Sequence, residues 1–190
     1  MLNIQFIEPY DGGSHRSFRQ GLEQYSDHNI KSLTLPARFW KWRMRGSAML
    51  FADLINEQQP PVDLFFVTDY LNVADFKGML NQPYDRTPIL LYMHENQLTY
   101  PLSPEEEFDF HFGFTNIVSC MAAEEVIFNS EFHRQLFLDA IPKYVGKMPE
   151  SIPKNIQPRI REKSLSLPVG IGREPGHSDL GEIPKEPIIL

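Results

Sequence analysis

The stretch His94-Glu95-Asn96-Gln97 concentrates four polar side chains directly behind an apolar run. A histidine at such a place donates or relays a proton near neutral pH, and a neighbouring glutamate orients it or serves as a base. These are the candidate catalytic residues, His94 and Glu95, with Asn96 and Gln97 as substrate contacts; an Asx-type turn is the plainer explanation of the same four. Position 98 is leucine, so the zinc-binding H-E-x-x-H pattern is absent. A second candidate is Gly12-Gly13-Ser14-His15. Paired glycines let a ligand approach the backbone, and a helix N-terminus behind them offers free N–H groups and a positive dipole. The spacing is not G-x-G-x-x-G, so the dinucleotide fingerprint fails. Asn129-Ser130 can contact a ligand or simply cap a helix; Asp109 reads as a helix cap, with His111 and Asn116 in the same helix as further polar candidates. The segment Arg38-Phe39-Trp40-Lys41-Trp42-Arg43-Met44-Arg45 packs four cations and three aromatics into eight residues. Aromatic faces stack on bases and the cations contact phosphates, so Arg38, Trp40, Lys41, Trp42 and Arg43 form a candidate RNA-binding arm. The alternative is a structural arm with packed rings and snorkelling charges.

The elements that must position these residues follow from hydrophobic pattern and breakers. Strands are expected at Leu2–Glu8 (ended by Pro9), Ile30–Leu35, Leu64–Thr68, Ile89–Met93, Val126–Asn129 and Leu165–Leu167. Helices are expected at about His15–Tyr25 with Ser14 as cap, Arg45–Gln58, Asn72–Leu80, Asp109–Met121 and, capped by Ser130, to about Ile141. Lys143–Pro158, rich in Pro and Lys, reads as a surface excursion. Strands alternating with helices imply right-handed crossovers and a parallel, Rossmann-like α/β sheet with helices on both faces. Ligands bind outside the carboxyl ends of such strands, which puts the loops Pro9–His15, His94–Pro101 and Asn129-Ser130 on one rim.

Composition narrows the class. The chain has 190 residues, 42% of them hydrophobic, as in an ordinary one-domain core. Its formal net charge of −7 argues against a broad nucleic-acid coat while leaving room for a local basic patch. No apolar run is long enough to span a bilayer, and no partner role at a membrane is expected. Met1–Ile7 has no basic n-region and no cleavage site, so a cytoplasmic protein is expected. The single cysteine, Cys120, leaves no intrachain disulfide and reads as an inert buried thiol. The polar tail from Arg173 and the apolar Glu186–Leu190 suggest a linker and the opening strand of a further domain.

Taken in order, Gly12-Gly13-Ser14-His15, Leu35-Pro36-Ala37 with Trp40-Lys41-Trp42-Arg43, Tyr92–Leu98 with Tyr100-Pro101, and Phe128-Asn129-Ser130 with Phe132 closely resemble the tRNA-queuosine mannosyltransferase family. The matches span about residues 1–172. More loosely, strand–His–loop, strand–Asn-Ser–helix and Leu167-Pro168-Val169-Gly170-Ile171 look like the N-terminal domains of retaining GT-B glycosyltransferases. The resemblance implies an acceptor-side domain over 1–172, with 173–190 leading to a donor-binding C-terminal domain as its partner. It implies transfer of mannose from GDP-mannose to queuosine in a tRNA acceptor, with retention, and without a cofactor or metal. It also implies that His94 lies near the transferred sugar and Gly12–Gly13 near the donor phosphate, and that this chain alone is inactive and binds GDP-mannose weakly. Two alternatives stand beside it: a GT-B transferase with a glycan or lipid acceptor, and a non-catalytic nucleotide- or RNA-binding module.

Overall fold

Six strands, all parallel, form one sheet in the order β2-β1-β3-β4-β5-β6. They are β1 (Asn3–Asp11), β2 (Asn29–Pro36), β3 (Leu64–Thr68), β4 (Ile89–Met93), β5 (Glu125–Phe128) and β6 (Ser164–Ser166). Six helices connect them: α1 (Gly13–Tyr25), α2 (Trp40–Gln58), α3 (Val73–Met79), α4 (Phe110–Ala122), α5 (Glu131–Val145) and α6 (Ile156–Glu162). The structure, a computed structural model, describes residues 1–101, 108–150 and 152–170. The acidic run Glu105–Glu107, the 172/173 boundary and the strand expected at 186–190 lie outside the described residues. No described helix is long and apolar enough to cross a membrane.

Strand side chains alternate between two unequal faces. Ile4, Phe6, Phe66, Tyr92 and Ile127 pack under α1, which contributes Phe18 and Leu22. Ile7, Phe65, Val67, Leu91, Met93, Val126 and Phe128 face the larger core built with α2 to α6. Helices on both faces of a parallel sheet make this the expected Rossmann-like α/β architecture. Cys120 is buried in the larger core, and burial pushes its thiol pKa up, as an inert position requires.

Several boundaries differ from expectation, each for a physical reason. β1 does not stop at Pro9; it runs to Asp11, because its register on β2 shifts by one residue between Glu8 and Asp11. A bulge is where a strand tolerates a residue with no N–H to donate. α2 begins at Trp40 rather than Arg45, so the basic-aromatic segment is a helical first turn and not an extended arm. Ser14 does not cap α1: the cap is Gly12, with no side-chain bond, and Ser14 lies in the first turn. Part of the 143–158 excursion is regular: α5 continues to Val145 through Pro142, and α6 starts at Ile156 to seat Ile156 and Ile160 in the core.

Candidate active site

The strand order reverses direction between β1 and β3, and the carboxyl ends of these two strands frame the crevice where open α/β sheets bind ligands. β1 delivers Tyr10 and then Gly12-Gly13; β3 delivers Asp69 and Tyr70; β4 delivers His94 and Glu95. The two glycines are needed for different reasons. A Cβ on Gly12 would sit 2.4 Å from the Cβ of Ala37, whereas Gly13 has open space but a left-handed φ of 51°. Together they bring the N-terminus of α1 to the crevice with its backbone bare.

Two histidines stack behind those glycines with ring centroids 4.0 Å apart. They differ in charge state. Burial alone would lower the pKa of His15, but its Nδ1 lies 3.0 Å from Oε2 of the fully buried Glu8. That bond, with the charges of Asp69, Glu8 and Glu95, raises it to about 9. His94 is pushed down to about 3, first by burial and then by repulsion from His15 and His133. At neutral pH a charged imidazolium therefore sits against a neutral imidazole. Buried Nε2 of His94 has no hydrogen-bond partner among the described residues, and its ring is walled by Phe18 and Tyr92.

The backbone of His94 is fixed on both sides. Its N–H donates to Oδ1 of Asp69 at 3.0 Å, and its carbonyl accepts from Nδ2 of Asn129 at 2.7 Å. Asp69 is buried, which raises its pKa to about 7 against the opposing charge of His15. Asn129 Oδ1 in turn meets Nδ1 of His133 at 3.0 Å, and Nε2 of His133 meets Nδ2 of Asn96 at 2.9 Å. An amide oxygen on one ring nitrogen and an amide N–H on the other assign His133 as the neutral Nδ1–H tautomer. Burial lowers its pKa to about 4, in keeping with that form. Asn96 completes the chain by accepting from the N–H groups of Leu98 and Thr99.

Two contiguous cavities open on this rim. One, of about 430 Å³, is lined by Gly12, Gly13, Ser14, His15, His94 and Asn129. The other, of about 300 Å³, is walled by Trp40 and Phe112, with Gln97 and Lys41. Tyr10, Tyr70 and Glu95 border both. Tyr10 and Tyr70 stack across the switch point at 4.8 Å, and the Tyr70 hydroxyl donates to Oε1 of Glu95. Glu95 thus serves Tyr70 and does not orient His94.

The sequence-derived candidates separate accordingly. Gly12, Gly13, Ser14, His15, His94, Glu95 and Asn129 converge on the larger cavity, and Gln97 lies in the smaller. Asn96 is buried with its amide committed to the loop and to His133. Ser130 accepts from the N–H of His133 as the cap of α5, and Asp109 accepts from the N–H of His111 as the cap of α4. Asn116 holds the site from behind, accepting from the N–H of Gln97 and donating to the carbonyl of Asp69. His111 is exposed. In the basic segment Arg43 turns back to the Pro36 carbonyl at 3.2 Å, Lys41 and Arg38 lie over aromatic rings, and Trp42 is 64% exposed.

One group of three possible metal ligands occurs among the described residues: Glu8, His15 and His94, with ligand atoms within 4.8 Å of one another. Both carboxylate oxygens of Glu8 are already engaged, Oε2 by His15 and Oε1 by the N–H of Tyr10 at 2.8 Å. Glu8 and His15 are thus matched as a buried ion pair, while Nε2 of His94 has no partner among the described residues.

The family model described as tRNA-queuosine alpha-mannosyltransferase N-terminal matches residues 3–171. The chain belongs to this family. A Drosophila melanogaster protein named tRNA-queuosine alpha-mannosyltransferase is 35% identical over 176 residues, 91% of this chain. The match covers 46% of that relative, so the chain spans about half of its length.

Glu8, Tyr10, Asp69, Tyr70 and His133 were missed by sequence reasoning. For Asp69-Tyr70 a signal existed: they follow a parallel strand and belong on the same rim as the other loops. Glu8 lies within a strand otherwise read as apolar, and nothing local shows that its partner is seven residues on.

Proposed function

We propose that this family member is the acceptor-side, N-terminal domain of a retaining GT-B mannosyltransferase that moves mannose from GDP-mannose to queuosine in tRNA. A C-terminal, donor-binding domain follows at about residue 173, and the enzyme works in the cytoplasm. The carrying observation is the larger cavity, where a bare helix N-terminus, a buried imidazolium and a neutral imidazole meet at the switch point. Glycosyl transfer passes through an oxocarbenium-like state whose leaving diphosphate needs positive stabilisation. The N-terminus of α1 and the His15 imidazolium supply positive potential there, which is why the reaction needs no metal in this scheme. His94, held neutral, lines this cavity and is the ring that meets the sugar as charge develops. Closure of the second domain excludes water and suppresses hydrolysis.

The test is incubation of the full-length protein with GDP-mannose and queuosine-containing tRNA, with and without a chelator, followed by nucleoside mass spectrometry. Mannosyl-queuosine in both reactions is the expected result. Absence of product, or transfer only from another sugar nucleotide, overturns the assignment; product lost on chelation overturns the metal-free scheme. This chain alone is expected to bind GDP-mannose weakly, and micromolar affinity in calorimetry would contradict the division of labour.

A further inference from the structure

The smaller cavity has a composition unlike its neighbour, and the scheme above leaves it unused. Its walls are aromatic: Tyr10 and Tyr70 stacked at 4.8 Å, and Trp40 against Phe112 at 5.0 Å. Its volume of about 300 Å³ lies at the small end of ligand sites, enough for one compact group. Two carboxylates, Glu95 and Asp109, and one cation, Lys41, line it. Glu95 borders it, held by the Tyr70 hydroxyl through Oε1, while Oε2 has no partner among the described residues. Lys41 is exposed, with Nζ 5.4 Å from the Trp40 ring, and the exposed Arg45 lies 5.2 Å from the centroid of the Phe112 ring. Aromatic walls with an interior carboxylate select a flat ring carrying positive charge. An exposed cation on the lining, Lys41, favours an anion attached to it. A nucleotide has this polarity when its base is turned inward and its phosphates stay outside.

Resting on the function proposed above, we propose that the smaller cavity receives the acceptor base itself, unstacked from the anticodon, with its side-chain ammonium on Glu95. Queuosine places a secondary amine between its deazaguanine ring and its cyclopentenediol. With the ring between the aromatic walls and the ammonium on Glu95, the diol crosses the boundary that Tyr10, Tyr70 and Glu95 share. It then enters the larger cavity, where His94 lies. Gln97 is placed to hydrogen-bond the edge of the base. In this arrangement Glu95 positions the acceptor and takes no proton from it.

The test uses the full-length enzyme, with free queuosine and 7-deazaguanosine (which lacks the amine) as competitors and as ligands in equilibrium dialysis. Wild type is expected to bind queuosine more tightly than 7-deazaguanosine. Glu95→Gln should erase that preference and raise KM for queuosine-containing tRNA about tenfold or more, with KM for GDP-mannose unchanged. Trp40→Leu should weaken both nucleosides alike. Equal binding of the two nucleosides by wild type overturns the proposal, as does an E95Q variant that keeps the preference. A rise confined to KM for GDP-mannose overturns it by making the cavity a donor subsite. If wild type transfers no mannose, the function proposed above fails, and dialysis still decides whether the cavity binds the nucleoside.

Discussion

The crevice around His15 and His94 and the basic-aromatic turn at the start of α2 lie beside the same rim but are built on opposite principles. In the crevice the charges are buried, paired and fixed through the backbone: Glu8 on His15, Asp69 and Asn129 on either side of His94. At the start of α2 the cations Arg38, Lys41 and Arg45 are exposed over aromatic rings, of which Trp40 and Phe112 pack and Phe39 stays exposed. A buried charge keeps its strength and its geometry, which a transition state needs. An exposed charge exchanges counterions cheaply, which a polyanion's approach needs. The two regions should therefore fail differently when altered.

The largest expected effect is at His94. His94→Ala in the full-length enzyme should lower kcat for mannosyl transfer by about a hundredfold or more, with little change in KM for tRNA. Unchanged turnover would remove the ring from the chemistry. Next is Gly12→Ala, whose Cβ would meet that of Ala37 at 2.4 Å. It should destabilise this chain by about 1–3 kcal/mol, visible as a Tm several degrees lower. An unaltered Tm would show that the β2–α2 connection yields freely.

A smaller effect is expected across the rim. Replacing Arg38 and Lys41 together with alanine should raise KM for tRNA and flatten the log–log salt dependence by about one to two units. KM for GDP-mannose should hold. An unchanged salt slope would make the turn purely structural and direct the search to Lys143–Arg161. Arg43 is a poorer choice than Lys41, because its guanidinium already caps the Pro36 carbonyl.

The gentlest probe is proton NMR of the two stacked rings. His15 should stay protonated until about pH 9 and His94 should remain neutral down to about pH 3. Because the folded pKa of His15 lies above 6.5, its pairing with Glu8 stabilises fully below pH 6.5 and fades as pH rises through about 9. His94 works the other way: its stability contribution is present above pH 6.5 and is lost as pH falls toward about 3. A His15 midpoint near 6.5 would dissolve the contrast between the rings.

How much of this was readable from residues alone follows the same divide. Strand and helix alternation, and the rim loops after β1, β4 and β5, came from local pattern. The start of α2 did not, since Arg38–Arg45 has no clear apolar stripe until Met44, Ala48 and Phe51 meet the core. α6 was hidden for another reason: Ile156 and Ile160 have the helical i, i+4 spacing, but Pro158 between them reads as a breaker. Asn96, plausible as a ligand by type, is consumed by Thr99, Leu98 and His133, and only the fold brings His133 there. Residue type announced polarity at the rim, but not which polar atoms were already spoken for.

The bulge in β1 carries a consequence about counting. Between Glu8 and Asp11 the strand advances three residues while β2 advances two. Without the extra residue Glu8 and Tyr10, two apart, would have the same parity and point the same way. With it, Glu8 turns to His15 on the α1 side, while Tyr10 packs with Met44, Tyr70 and Phe112 on the other. The number of residues from Glu8 to Gly12 is thus a fixed dimension of the molecule. Many side chains could be exchanged there, but a single insertion or deletion would reverse the parity and turn Tyr10 away from Tyr70.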